Sequence, residues 1–233
     1  MLDIISDNWL LLLVGQYPNG ALGGLAATVG LALMSLALAF PLGILLALGR
    51  ISSMRIFYWP STVIVYIVRG LPLIMFIFWA YFFVPILINR PVGGATTMVT
   101  ALVIYESAYL AEIIRGGIQA LSAGQLEAGR SLGLSYTQTM RRVILPQALY
   151  NTLPSMLSQF ISTVKETSLG FVISVHELTF AAAQINNTLL TKPFEVFALL
   201  ALTYFTLNLI LGGAVKLIEN RIQIKRTLAI QVA

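Results

Sequence analysis

Charged side chains that fall within long apolar stretches include Arg69, Glu106, Glu112, Arg115, Lys165 and Glu166. A carboxylate or ammonium at bilayer depth costs at least ~2.5 kcal/mol on insertion scales, so such groups face a protein interior or a wet cavity. Glu112 and Arg115, three residues apart on one helical face, read as a structural ion pair near the inner boundary of the membrane. Lys165 and Glu166 are adjacent and cannot face each other, so each needs its own partner. One pairing for Lys165 is Glu106. Another reading has Lys165 and Arg69 hold the carboxylate of a ligand, with Thr167 and Ser168 donating hydrogen bonds to it. Small hydroxyl residues also serve helix packing in membranes, and span packing accounts for several of these residues equally well. Bond-making chemistry finds no support. There is no cysteine, which excludes disulfides and thiolate metal sites. The one histidine, His176, falls in an expected outer loop and reads as a surface residue, so no metal site is expected. No HExxH, no Ser/His/Asp grouping and no Gly-Lys phosphate loop occurs, so no catalytic residue is expected.

The elements that position these charges are membrane helices. Of 233 residues, 58% are hydrophobic and 10% charged, against roughly 25% charged in a soluble domain. With a mean hydropathy of +0.88, too few charges remain to coat a water-soluble globule. A helix needs roughly 20 apolar residues to cross the hydrocarbon core, and backbone groups in lipid must be paired internally. Five segments qualify: 22–48, 58–88, 97–118, 153–175 and 194–217, the second interrupted by Arg69-Gly70-Leu71-Pro72. The expected fold is an all-α membrane protein with about five transmembrane helices in a single domain, 1–233. Trp9 to Val14 is apolar but too short to span and reads as an interfacial helix. Asp3 and Asp7 replace the basic start of a secretory signal, so the first span is expected to be retained.

The net charge of +5 reads as topology rather than as affinity for nucleic acid. With the amino terminus outside, the inner segments collect Arg50, Arg55, Arg115, Arg130, Arg141, Arg142, Lys216, Arg221, Lys225 and Arg226, while the outer ones hold Arg90 and Lys192. The carboxyl terminus is then cytoplasmic, near anionic lipid headgroups. The longest segment outside the membrane, 119–151, lies on the inner side. Gln125 to Leu132 reads as a helix, Gly133 can end it, and Ser135 or Thr137 can cap the next. That next helix sets Met140, Val143 and Ile144 among Arg141 and Arg142, and Pro146 ends or kinks it. Such an amphipathic element either lies on the bilayer or docks into a groove on a cytoplasmic partner. The pattern by itself leaves both open.

The same stretch resembles the EAA loop of ABC-importer permeases, the membrane components of binding-protein-dependent transport. The matching residues are Glu127, Ala128, Gly129, Gly133, Val143, Leu145 and Pro146, with Gly129 in place of the usual second Ala and Val143 in place of Ile. Three further motifs resemble the polar amino-acid subfamily: Arg69-Gly70-Leu71-Pro72-Leu73, the run from Ala108 to Ile118, and Lys165-Glu166-Thr167-Ser168-Leu169. Val68 to Pro85 and Tyr105 to Tyr109 are most similar to permeases for glutamate and aspartate. The resemblance implies a multi-pass subunit of the bacterial inner membrane that has no cofactor and binds no ATP itself. Its implied partners are an ATPase dimer, a second permease subunit (identical or related), an extracytoplasmic amino-acid-binding protein and membrane lipid. It also implies that residues 127–146 couple to the ATPase, with Arg69, Glu106, Lys165, Glu166, Thr167 and Ser168 as candidate substrate contacts. The competing reading is an ATP-independent secondary transporter or channel. Members of that class usually carry internal repeats, and no self-similar halves are visible here.

Overall fold

The structure, a computed structural model, describes the backbone of residues 1–232 and the side chains of residues 1–222. Lys225 and Arg226, placed inside by the charge pattern, lie outside the residues whose side chains are described. In chain order the elements are α1 (Leu2–Val14), α2 (Gly24–Arg50), α3 (Arg55–Gly70), α4 (Leu73–Ile88), α5 (Gly94–Gln119), α6 (Ala123–Ser131) and α7 (Tyr136–Thr139). A π-helical turn (Met140–Ile144) leads into α8 (Leu145–Glu166), followed by a 3-10 helix (Thr167–Ile173), α9 (Leu178–Leu189) and α10 (Pro193–Val232). Two isolated backbone bridges, Gly15 with Leu22 and Gly24 with Glu177, are the extended pairings among the described residues.

Among the described residues three helices are long and apolar enough to cross a membrane: α2, α5, and α10 as far as Ile222. The segment 58–88 is not one continuous span. It is two 16-residue helices, α3 and α4, which meet the same test only as a broken pair. Pro72 lacks an amide hydrogen and pushes Leu71 out of the helical region, so the break falls on the Arg69-Gly70-Leu71-Pro72 interruption. The segment 153–175 is displaced as well. Its helix, α8, begins at Leu145 and stops at Glu166. Its 22 residues reach about 33 Å, enough to cross, yet Gln147, Asn151, Ser155, Ser158 and Gln159 keep it out of the apolar class. Beyond it, Thr167 donates to the Val164 carbonyl at 2.8 Å and Ser168 to the Lys165 carbonyl at 2.6 Å. These hydroxyls take up the last helical acceptors, and the apolar run after them winds more tightly.

By their own contacts the residues form two compact units, one of 1–38, 71–104 and 160–214, the other of 39–70, 105–159 and the residues from 215 on. In the first, α1 packs on α9: Ile4 is buried with Ala182, Ile185 and Val196, flanked by Leu11, Leu12 and Leu189. Trp9, Leu10 and Leu13 remain exposed. The short interfacial helix expected from Trp9 is therefore a 13-residue helix with one face on protein and one apolar face outward. The connection between the expected fourth and fifth spans, where His176 lies, is mostly α9, whose Leu178, Ala181, Ala182 and Ile185 are buried at helical spacing.

In the second unit small residues let helices touch. A Cβ on Gly43 would lie 2.8 Å from the Leu110 Cβ, and one on Gly117 would overlap Thr152. Ala47, Ala108, Ala111 and Ala148 are fully buried around these crossings. Close backbone approach of this kind supplies the dispersion and hydrogen bonding that hold membrane helices together, since lipid removes the hydrophobic drive between them.

Gly24 opens α2 with φ 57, its amide bonded to the His176 carbonyl at 3.0 Å, and a Cβ there would meet the Leu11 and Leu12 carbonyl oxygens. Gly24→Ala should therefore cost more than about 1 kcal/mol, lowering the unfolding temperature in detergent by about 2–4 °C or more. Gly30→Ala, which meets nothing within 4 Å, should leave it unchanged or raised. Equal behaviour of the two variants in a thermal scan would contradict this account of the α1–α2 turn.

Candidate functional site

Residues 119–151 build a compact element from local bonds. Ser122 precedes α6, observed over Ala123–Ser131 against the expected 125–132. At its end Gly133 takes φ 82, the Gly133 amide bonds the Arg130 carbonyl at 2.9 Å, and the Leu134 amide bonds the Gly129 carbonyl at 3.1 Å. This paired closure is a Schellman turn, which demands a left-handed residue where Gly133 stands. Ser135, not Thr137, caps α7: its hydroxyl accepts the Gln138 amide at 3.3 Å while the Gln138 side chain accepts the Ser135 amide at 2.9 Å. Pro146 does not end the helix. It is the second residue of α8, and the distortion lies just before it, in the π-helical turn, where wider bonding accommodates the carbonyl that proline leaves without a donor.

The departure at Gly129 has a steric reason. Gly129 is buried against the fully buried Thr139, and a Cβ would lie 2.5 Å from its Cγ2 and 2.9 Å from its Oγ1. Alanine, with that Cβ, would force α6 away from α7. Gln125 and Gln147 exchange two amide bonds of 3.2 and 2.7 Å, fastening α6 to α8. Glu127, Ala128 and Pro146 are exposed, while Val143 and Leu145 are half-buried. Sequence reasoning missed Leu132, which is 83% exposed beside the Gly133 turn. An apolar residue directly before a helix-ending glycine was the available signal.

Three arginines of the second unit converge on Glu112. Arg115 grips it with both ends of the fork, Nε to Oε1 at 3.0 Å and Nη2 to Oε2 at 2.9 Å, as the i, i+3 spacing predicts. Arg50 from the end of α2 also pairs with Glu112, and Arg69 from the end of α3 approaches it at 3.6 Å. Aromatic faces support the cations: Arg50 sits 5.1 Å from the Tyr66 ring centroid and Arg69 5.2 Å from that of Tyr109. Arg69, a candidate ligand group, is thus already engaged by Glu112, though 41% of its side chain is exposed. Glu106, nearer the start of α5, is fully buried.

The remaining candidate contacts belong to the first unit. Lys165 is exposed and Glu166 half-buried at the end of α8, while Thr167 is buried and Ser168 half-buried in the 3-10 helix. Both hydroxyls bond helix carbonyls, which is the packing use of such residues. His176 is exposed and stacks on Phe180 at 4.3 Å, as a surface residue does.

The first unit also holds a node that sequence reasoning did not single out. Glu177, fully buried before α9, accepts the Thr179 and Phe180 amides at 2.8 and 3.0 Å and the Tyr204 hydroxyl at 3.1 Å. Burial pushes its carboxyl up to about 7, although the hydrogen bonds pull the other way. Thr28 closes the node by accepting the Leu178 amide at 3.1 Å. Glutamate is an uncommon cap residue, so the sequence carried no signal for it.

Several helices long and apolar enough to cross a membrane, with a locally bonded polar element between them, define a class: multi-pass helical membrane proteins. Residues 39–224 of this chain match the model of the binding-protein-dependent transport system inner membrane component. The probable glutamine ABC transporter permease protein GlnP of Bacillus subtilis (strain 168) is 40% identical, covering 89% of this chain and 98% of that protein. The probable glutamine ABC transporter permease protein GlnM of the same organism is 35% identical, over 95% and 97%. A solved structure, an amino acid ABC transporter with histidines, aligns at TM-score 0.78 and 34% identity, over 85% of this chain and 92% of that one. This chain belongs to the binding-protein-dependent transport inner-membrane component family, as a multi-pass permease subunit of an amino-acid ABC importer.

Removing the shared carboxylate should expose the dependence on Glu112. Glu112→Gln leaves three arginines without their anion and should cost about 3 kcal/mol, read as a lower unfolding temperature and lower yield. Arg115→Gln removes one cation of three and should cost less; the reverse order would discount Glu112 as the organising group. For Glu177, a carboxyl raised from 4.5 to about 7 in the folded chain binds its proton more tightly than in the unfolded one. Its contribution is therefore full below about pH 4.5 and lost as pH rises through about 7. The unfolding temperature of the native chain should fall across that window, and Glu177→Gln should flatten the fall. Identical pH profiles would remove Glu177 as its source.

Proposed function

We propose that this chain forms half of the translocation pathway of an ATP-driven importer, as one permease domain with its amino terminus outside and residues 119–151 cytoplasmic. The other half is a second copy or a related permease. ATP is bound and hydrolysed by a separate pair of ATPase subunits, so this chain needs no cofactor or metal of its own, and an extracytoplasmic binding protein delivers the substrate. Nucleotide-driven closure of the ATPases switches the pathway between outward-open and inward-open states by rigid-body or hinge motion. The observation that carries this reading is the element from Ala123 to Ile144. It exposes Glu127, Ala128 and Leu132 yet is closed internally by the Gly133 turn, the Ser135 cap and the Gln125–Gln147 bonds. Such an element transmits a push without deforming.

The cargo in this reading is an anionic amino acid, glutamate or aspartate. The resemblance of Val68–Pro85 and Tyr105–Tyr109 supports it, as does the partly exposed Arg69, one of three arginines sharing one carboxylate. Candidate contacts are Arg69, Glu106, Lys165, Glu166, Thr167 and Ser168, with the buried Glu106 suited to an ammonium group. Glutamine is the second reading, favoured by the names of the two Bacillus relatives.

The test uses the assembled importer in proteoliposomes with its binding protein and labelled amino acids. Glu127→Lys and Gly133→Pro should abolish uptake and binding-protein-stimulated ATP hydrolysis while the chain still inserts. Proline cannot adopt the φ of +82 found at Gly133. Normal uptake in both variants would remove the coupling role. Aspartate should compete with labelled glutamate and glutamine should not; the opposite pattern would transfer the assignment to glutamine.

A further inference from the structure

A cavity of about 390 Å³ lies beside the coupling element, between the end of α2 and the path from α7 into α8. Its walls divide by chemistry. Leu48, Ile51, Met140 and Leu145 are apolar, whereas Tyr136 and Arg141 bring a hydroxyl and a guanidinium. Among the described residues no carboxylate lines it. Tyr136 and Arg141 are exposed while Met140 is buried, so the cavity is apolar inside and basic at its rim. Arg141 stands in the π-helical turn, a widened turn of the kind often found at functional positions, and the exposed Arg142 adds a second cation beside it.

We infer that this cavity is a binding site for an anionic phospholipid of the inner leaflet. The headgroup phosphate lies against the Arg141 guanidinium and the Tyr136 hydroxyl, and the first carbons of an acyl chain lie along Leu48, Ile51 and Met140. Charge complementarity selects this occupant. Basic pockets at the cytoplasmic ends of membrane helices sit where the leaflet surface is negative, and they suit anionic headgroups. The apolar walls belong to the end of one membrane helix and the start of another, a wall that a headgroup with its chain can cover. Because the cavity includes the turn that links α7 to α8, a bound lipid holds the coupling element against the membrane. The inference rests on the inner-side position of residues 119–151, and lipid retention is measured apart from uptake, so failure of one is distinguishable from failure of the other.

The experiment is native mass spectrometry of the intact importer after exchange into nanodiscs containing phosphatidylglycerol or phosphatidylcholine alone. The native complex should retain phosphatidylglycerol and not phosphatidylcholine. Arg141→Gln should weaken retention about fivefold, and Thr137→Trp, which fills the cavity from an exposed position, should abolish it. Arg141→Lys should restore most of the retention, since a bare positive charge satisfies a phosphate but would not replace a structural guanidinium. Equal retention in the native, Arg141→Gln and Thr137→Trp complexes overturns the inference. Loss of the ATPase subunit from either variant with lipid retention unchanged also overturns it, assigning the cavity to that subunit.

Discussion

One carboxylate sustains three cations in the second unit. Glu112 is held by Arg50 from α2, Arg69 from α3 and Arg115 from its own helix. An unpaired charge in an apolar surrounding is costly enough that a chain refolds or rebinds around it, so the three helix segments meet where that carboxylate is. The small-residue crossings at Gly43 and Gly117 then bring the backbones close enough for the long arginine side chains to converge. Tyr66 and Tyr109 supply ring faces for two of the guanidinium groups, which offsets part of the excess positive charge. The arrangement specifies a geometry more than it adds stability, as buried ion pairs generally do when their desolvation is counted.

From this anchor the chain continues into an element of different character. Between Ser122 and Ile144 the holding forces are short-range: a Schellman closure, a capping box, and a glycine that lets α6 lie on Thr139. Its most exposed apolar residue, Leu132, stands beside the Gly133 turn. Gln125 and Gln147 fasten it to α8, and in the proposed function this short, internally closed element is the part that meets the ATPase. The basic-rimmed cavity at its base adds the bilayer as a second surface acting on the same turn.

The first unit solves a separate problem, which is how to end membrane helices without leaving polar groups stranded. Glu177 accepts two amides and a tyrosine hydroxyl, Thr28 takes a third amide, and Gly24 bonds the His176 carbonyl. In a medium that offers few alternative partners, each of these would otherwise cost several kcal/mol or so. α1 and α9 pack together through Ile4, Ala182 and Ile185, while Trp9, Leu10 and Leu13 keep a second apolar face of α1 outward.

What the sequence by itself determined was whatever depends on local or compositional physics. The apolar runs of α2, α5 and α10 require helices because lipid leaves no other way to pair the backbone. The α6–Gly133–α7 element was legible because glycine and serine are the residues that a Schellman turn and a capping box need, and the Glu112–Arg115 pair followed from helical spacing. Tertiary structure decided the rest. Periodicity says nothing about helix rotation, so the arrival of Arg50 and Arg69 at Glu112 could not be read from the chain. The tight 3-10 winding after Glu166 was hidden behind an apolar run that looked like more helix. Glu177 carried no motif at all, because Tyr204, which bonds it, and Thr28, which bonds the next residue's amide, are distant in sequence and become neighbours only when three segments pack together.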